Sequence, residues 1–428
     1  MEIIYTVLRN VAFAVVDPYS SLVIISMGIF FYMSNRKIVA MQKIIMGESR
    51  NTTLELTISQ IVLGILAGAI LSIILTYLGV VFNSNSSIFI IFILSSITLV
   101  IPSKYLSIAY TATIFGIISI VGTSIVNIFD MPIIMAFDTN IISLIALVGS
   151  IYFVKGLLTV IDGSRGAIPI FAKKDKNIIG GFAMKRSWIF PIALLMLFKL
   201  NEPSSIENLI EMPKWWPILK GTYNLDLMKG FLLALLPLYA VTSINTVTFT
   251  RSSKSKAKLL GTMNIVYGLL VLSLSVFARI GYSAEVIALI MVPVLYEIML
   301  KIDFTLEMKN TPKYITTDEG LMILDVVPNS PANNMGIESG DLILEANGIN
   351  LAMENNVLDG IKNLPLNLII KIRNTKGEIK DMSYTRTSEE KKLGVIFVPK
   401  IVPDKMLFSE DKINVKDIMN KFKDDDEK

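Results

Sequence analysis

The sequence predicts a polytopic α-helical membrane bundle followed by a small α+β domain. Three observations carry that prediction. Apolar residues make up 53% of the 428-residue chain and charged residues only 18%, too apolar overall for one water-soluble core. The long apolar runs all fall within residues 1–300. From Tyr314 onward the pattern changes to short apolar strands punctuated by Gly, Pro and Asn-Gly. The chain thus divides into a multi-span domain over residues 1–300, a small domain over 301–400 and a charged tail over 401–428.

A helix needs about 20 apolar residues to cross a hydrocarbon core. The expected spans are 11–33, 59–82, 88–103, 105–128, 139–158, 188–200, 230–250, 259–279 and 284–300. The 88–103 and 188–200 runs are short, so the expected count is eight or nine. The N-terminus does not read as a cleavable signal peptide: Arg9 precedes an apolar run, but no small-x-small site comes before Arg36 and Lys37. The first segment is therefore expected to stay in the membrane, with the lipid bilayer as a partner along the whole N-terminal part.

Lys and Arg collect in alternate loops. Arg36, Lys37, Lys43 and Arg50 lie in 34–58, Lys155 to Arg186 in 155–187, and Arg251, Lys254, Lys256 and Lys258 in 251–258. With nine spans this places the basic loops and the C-terminal domain in the cytoplasm of a multi-pass cell-membrane protein. The loop 201–229 has balanced charge, and its EMPKWWPILK stretch reads as an aromatic anchor at the outer interface. Carboxylates near the spans are Asp17, Asp130, Asp138, Glu285 and Glu297. Each lies close to a span end, where headgroup exposure or pairing with a cation serves better than an ion pathway. Gly64, Gly68 and Ser72 recur every four residues on one helix face, the small-xxx-small pattern of close helix packing.

The chain has no Cys and no His. That excludes disulfides, thiolate metal sites, cysteine nucleophiles, HExxH zinc sites and every histidine-dependent relay. No cofactor or metal is expected. The net charge of +4, without a basic stripe interleaved with aromatics, argues against nucleic acid as a partner.

In the C-terminal part, GLMILDVV (320–327) reads as a buried strand broken by Pro328-Asn329-Ser330-Pro331. PANNMG is a short helical turn closed by Gly336, and Ser339-Gly340-Asp341 is a tight turn. DLILEANG is a second strand ending in the Asn347-Gly348 turn. Residues 352–363 have helical spacing, 366–386 read as a hairpin turning at Asn374–Gly377, and LGVIFVP (393–399) is a closing strand. Residues 409–422 have the spacing of a short amphipathic helix, and the DDDEK end that of a solvated terminus.

The run Pro328-Asn329-Ser330-Pro331-Ala332, then Gly336-Ile337, Gly340-Asp341-Leu342-Ile343 and Asn347-Gly348 resembles the bacterial PDZ family in its circularly permuted form. The resemblance implies a module that binds an extended peptide end by adding it as a strand. The carboxylate-binding loop then maps to Leu393, Gly394, Val395 and Ile396, and the far wall of the groove to Val357, Leu358 and Ile361. Core packing suits Leu393 and Ile396 as well as ligand contact does, because strand residues alternate faces. Gly320-Leu321-Met322 ranks as a second candidate loop.

Ser164-Arg165-Gly166, Gly180-Gly181, KRSWIFP (185–191) and Trp215-Trp216-Pro217, upstream of such a domain, are similar to the MinJ family of division-site topology proteins. That resemblance implies a non-enzymatic scaffold, with DivIVA-like and MinD-like proteins as partners. Two other readings stand beside it: a transporter or sensor regulated by its PDZ domain, and a membrane protease working without histidine. For the latter, the paired YD and GxGD aspartyl motifs are missing, while a Ser-Lys dyad leaves little local signature.

Overall fold

The computed structural model describes residues 2–46, 49–83, 86–99, 101, 104–129, 139–174, 177–199, 215–219, 231–351, 366–386, 392–400 and 407–409. The N-terminal part begins with α1 (Glu2–Val16), α2 (Pro18–Met46) and α3 (Thr53–Leu78). Asp17 sits at the α1–α2 junction and caps α2, its carboxylate accepting the Ser20 N–H at 3.0 Å. After β1 (Val81–Asn83) come the nine-residue α4 (Phe89–Ile97), α5 (Ile108–Phe129) and α6 (Ile141–Asp162). Then follow β2 (Ile168–Lys174), β3 (Asn177–Lys199), β4 (Phe231–Thr248), α7 (Ser253–Phe277), α8 (Tyr282–Lys309) and β5 (Tyr314–Ile315).

Among the described residues, six helices are long and apolar enough to cross a membrane: Pro18–Ile45, Thr53–Leu78, Ile108–Val126, Ile141–Asp162, Ser253–Ile280 and Tyr282–Lys309. Three expected spans are not among them: 88–103 contains the nine-residue α4, too short to cross, and 188–200 and 230–250 are instead strands. β3 and β4 form one long antiparallel hairpin, in register from Phe182 opposite Thr248 to Lys199 opposite Phe231. Both strands are apolar almost throughout, so they lack the alternation of a strand with one wet face. Pro191, Pro237 and the Thr-rich end of β4 are the residues that favour strand over helix.

A sheet edge inside a bundle needs partners for its backbone. One edge of β3 pairs with β4; the other pairs with β2 at its start and with β1 at Leu195–Leu197. Between those two patches the edge is covered by α3. A Cβ on Gly64 would stand 2.2 Å from the Ile189 carbonyl oxygen, and one on Gly68 2.3 Å from that of Pro191. The Ala193 N–H donates to Ser72 Oγ at 2.9 Å. Gly64, Gly68 and Ser72 thus follow strand residues 189, 191 and 193 step for step. The match is metric: four helical residues rise about 6 Å and two strand residues about 6.6 Å. Pro191 suits this edge because it has no N–H to leave unpaired. The stripe expected to pack helix on helix therefore packs helix on strand.

Helix-on-helix packing through glycine occurs elsewhere. Gly149 and Gly156 of α6 face Gly268 and Gly261 of α7, each Cβ position lying within 3 Å of the opposing carbonyl oxygen. The seven-residue spacing on two antiparallel helices was not among the patterns read from the sequence.

Beyond α8 the chain forms β6 (Leu321–Val326), α9 (Pro331–Asn334), β7 (Leu342–Ala346), β8 (Ile349–Asn350), β9 (Asn367–Arg373), β10 (Ile379–Thr385) and β11 (Val395–Phe397). The strand order is β10-β9-β7-β6-β11, with β8 paired to β7. A final strand, β12 (Leu407–Ser409), pairs in parallel with β2 and belongs to the first sheet. The turns use the expected residues in left-handed backbone: Asn347 at φ 47° with Gly348 at φ 80°, and Gly340 at φ 102°. Ser330 caps α9, its side chain accepting from the Asn333 N–H. The core of this sheet is Leu321, Ile323, Ile337, Ile343, Ile370 and Phe397 with their neighbours.

Candidate peptide edge and its mount on the membrane domain

Gly394 has φ +75°, and a Cβ there would lie 2.3 Å from the Ser330 side chain. The turn it makes is latched to the Ser330-Pro331-Ala332 turn. Ala332 N–H donates to the Leu393 carbonyl at 3.1 Å, and Val327 N–H donates to the Gly394 carbonyl at 2.9 Å. From there β11 runs antiparallel to β6, with Val395 opposite Val326 and Ile396 opposite Asp325. Among the described residues, no strand pairs with the other edge of β11. An edge strand that follows a glycine turn is the arrangement that accepts an added peptide strand.

The side chains of this stretch are already committed. Leu393 is 1% exposed in the core of its own sheet, and Val395 packs against that core. Ile396 turns the other way, into a second cluster with Phe171, Phe182, Tyr314, Leu324 and Val398. What Leu393–Ile396 offers a ligand is therefore backbone. Leu321 pairs with Ile343 inside the sheet, so Gly320-Leu321-Met322 is a strand start buried beside β7. Val357, Leu358 and Ile361 lie outside the described residues, as do Asp130, Asp138 and the tail segment 410–428.

The second cluster is the mount that fixes this sheet to the membrane domain. β5 pairs with the start of β3, Tyr314 opposite Gly180. Gly180 makes room for the contact: a Cβ there would lie 2.9 Å from Val398 and 3.0 Å from Leu324. Tyr314 is fully buried and packs edge-on against Phe182, and its hydroxyl is 2.7 Å from Ser339 Oγ, which donates to the Leu324 carbonyl. Burial is the main cause that pushes the Tyr314 phenol up to about 12. From the α2–α3 connection, Arg50 pairs with Asp325 at 2.9 Å and donates to the Val326 carbonyl at 2.7 Å. On the tight turn of the small domain, burial raises the Asp341 carboxyl, which accepts the Glu338 N–H.

Under the mount lies a buried ion pair. Arg186 of β3, 0% exposed, donates to Asp162 Oδ2 at 2.6 and 2.9 Å, and Trp188 Nε1 donates to the same oxygen at 3.0 Å. The guanidinium also reaches the Leu56 carbonyl and Ser59 Oγ, tying α6, β3 and α3 together. Removing one partner from such a buried pair costs about 3–5 kcal/mol. Arg186 and Trp188 belong to the KRSWIFP stretch, so that motif has a structural reason; Asp162 was not singled out in the sequence, where it is one acid at a helix end. Nearby, Glu307 near the end of α8 accepts N–H bonds from Phe249 and Thr250 and, with Asp303, pairs with Lys256. Glu297, noted among the span-end carboxylates, pairs with Lys104 at 2.6 Å. At the opposite end, Trp216 Nε1 donates to the Thr76 carbonyl, and Trp215 stacks on Tyr77.

Residues 322–374 match the PDZ domain family. With the six long apolar helices this defines the class: a multi-pass membrane protein that carries a PDZ domain. Along most of its length the chain is also similar to the cell division topological determinant MinJ of Bacillus subtilis (strain 168). The two are 22% identical over 348 residues, covering 78% of this chain and 81% of that protein.

Proposed function

We propose that this chain is a non-enzymatic membrane adaptor in division-site placement, and that its PDZ domain recruits cytoplasmic proteins by strand addition at β11. The observation that carries the reading is the edge of β11 behind the Gly394 turn, which pairs with no strand among the described residues and is held against the membrane domain. The similarity to a division determinant over most of the chain supports the cellular role. DivIVA-like and MinD-like proteins are the partners this reading implies, with Val357, Leu358 and Ile361 as the facing wall of the groove.

The orientation follows the positive-inside rule applied to the folded chain. Arg50, Arg186 and Lys256 all lie at the end of the bundle where the PDZ domain is mounted. Three of the nine expected spans are not membrane-length helices: 188–200 and 230–250 are strands of one hairpin, and 88–103 holds only the nine-residue α4. Contacts rather than a count of spans bring the basic loops together, since Arg186 reaches the Leu56 carbonyl beside Arg50, and Arg50 pairs with Asp325 of the C-terminal domain. That side is the cytoplasm.

The test is localisation of a fluorescent fusion alongside a Gly394→Ala variant. The native fusion should gather at division sites, and deletion of the gene should misplace septa. Gly394→Ala should stay in the membrane at normal level and lose partner recruitment, since the added methyl meets Ser330 in a backbone conformation that disfavours it. An even membrane distribution with normal septa after deletion would sink the division reading. Recruitment unchanged in Gly394→Ala would move the docking surface away from β11.

A further inference from the structure

Among the described residues the helix bundle leaves a gap beside α8 on the side of the PDZ domain. α5 does not run alongside α8 for its full length: its first turns meet α8 at Glu297, where Tyr110 donates to the carboxylate, and its other end reaches Tyr282. From Glu297 to Lys309 is about 18 Å of helix that α5 leaves uncovered. The result is a groove of about 660 Å³ lined by Lys104, Tyr110, Val294, Glu297, Lys301 and Phe304 among others.

The groove is two-sided in character. Lys301 comes twenty residues after Gly281, about 30 Å along the helix, which is the thickness of a hydrocarbon core. Its apolar wall at Val294 therefore lies at acyl-chain depth and its charged end at the headgroup boundary. Within that charged end, Glu297 is neutralised by Lys104 and hydrogen-bonded by Tyr110. Among the described residues the Lys301 amine has no acidic partner. Two cations against one carboxylate leave the groove with one net positive charge. An ammonium at this depth needs an anion or water, and the groove offers it a place where an anion would be held.

We propose that this groove binds an anionic glycerophospholipid from the leaflet on the PDZ side, its phosphate on Lys301 and one acyl chain along Val294. The proposal rests on the membrane-spanning reading of α8 and not on the adaptor role. It is tested on the full chain purified in detergent, incubated with phosphatidylglycerol or phosphatidylcholine, with retained lipid counted by native mass spectrometry. Phosphatidylglycerol should be retained over phosphatidylcholine. Lys301→Ala should lower retention about fivefold, the scale of one basic side chain at an anionic surface, and Lys301→Arg should keep it. Val294→Trp fills the apolar wall with the charges intact and should lower retention too, while Lys258→Ala, an exposed cation at the same end on α7, should not. Size-exclusion profiles identify any variant that fails to fold. Equal retention of the two lipids, an equal loss in Lys258→Ala, or full retention in Val294→Trp would each overturn the proposal. A chain extracted from membranes by carbonate would instead count against the spanning helices themselves.

Discussion

The molecule contains two sheets that treat their edges in opposite ways. In the membrane domain the exposed side of β3 is closed at every stage: by β2, by β1, and between them by Gly64, Gly68 and Ser72 of α3. On the outer side of β4, Ser95 Oγ accepts the Val241 N–H at 3.2 Å. In the PDZ domain the order ends at β11, and among the described residues nothing pairs beyond it. The difference follows from the solvent. Water can satisfy an open edge until a peptide displaces it, whereas an open edge at bilayer depth leaves backbone groups with no partner. A sheet edge can thus be closed in one half of a chain and left open among the described residues of the other, with the same backbone chemistry.

The largest effect that would break this comparison comes from Gly68→Leu. The new side chain meets the Pro191 carbonyl, which is backbone and cannot turn aside. The loss should exceed about 4 kcal/mol, in the range reserved for core overpacking and broken networks. It would be seen as loss of monodisperse protein after extraction. A stable Gly68→Leu protein would mean that α3 does not close the edge.

Next in size is the seam between the two sheets. The folded chain holds the Tyr314 proton up to about 12, while an unfolded one releases it near 10. A raised pKa of this kind contributes stability that is fully present below pH 10 and is lost as pH rises through 12. The loss should reach about 3 kcal/mol at most. Thermal melts between pH 9 and pH 12 on the native chain and on Tyr314→Phe check this, since only the native chain should show the extra alkaline loss. Equal slopes would remove Tyr314 from the seam.

The smallest effect is also the most specific. Ser72→Ala deletes the acceptor of the Ala193 N–H without adding bulk. An unsatisfied buried donor costs about 1–3 kcal/mol, so the melting temperature should fall modestly, and Ser72→Thr should recover part of it. No change would show that this stretch of edge is satisfied by another route.

The sequence made the helices and the PDZ turns readable for different reasons. Long helices declare themselves by length and hydropathy, and turns by residues that tolerate positive φ, as Asn347-Gly348 and Gly340 do. The β3–β4 hairpin hid because a strand buried on both faces has no alternation, so Leu194, Leu195 and Leu197 read like a helix. The glycine stripe was visible, but spacing on one helix does not say whether a helix or a strand edge lies opposite. Asp162 could not be found at all from local pattern, because its partners Arg186 and Trp188 lie more than twenty residues away on another element. Within the candidate site, the Gly394 turn was legible and the orientation of its neighbours was not, since alternation leaves open which face meets the core.

The connection between α8 and the PDZ domain is short: Lys309 ends the helix and Tyr314 is already paired to β3. Arg50 holds the same seam through Asp325 and the Val326 carbonyl, so the domain is fastened at more than its chain connection. The β11 edge, proposed above to receive a peptide, therefore stays at one height and one heading relative to the membrane domain. A partner searching for it is confined to a thin layer along the membrane, and proteins that already skim that surface meet it far more often than those diffusing through the bulk.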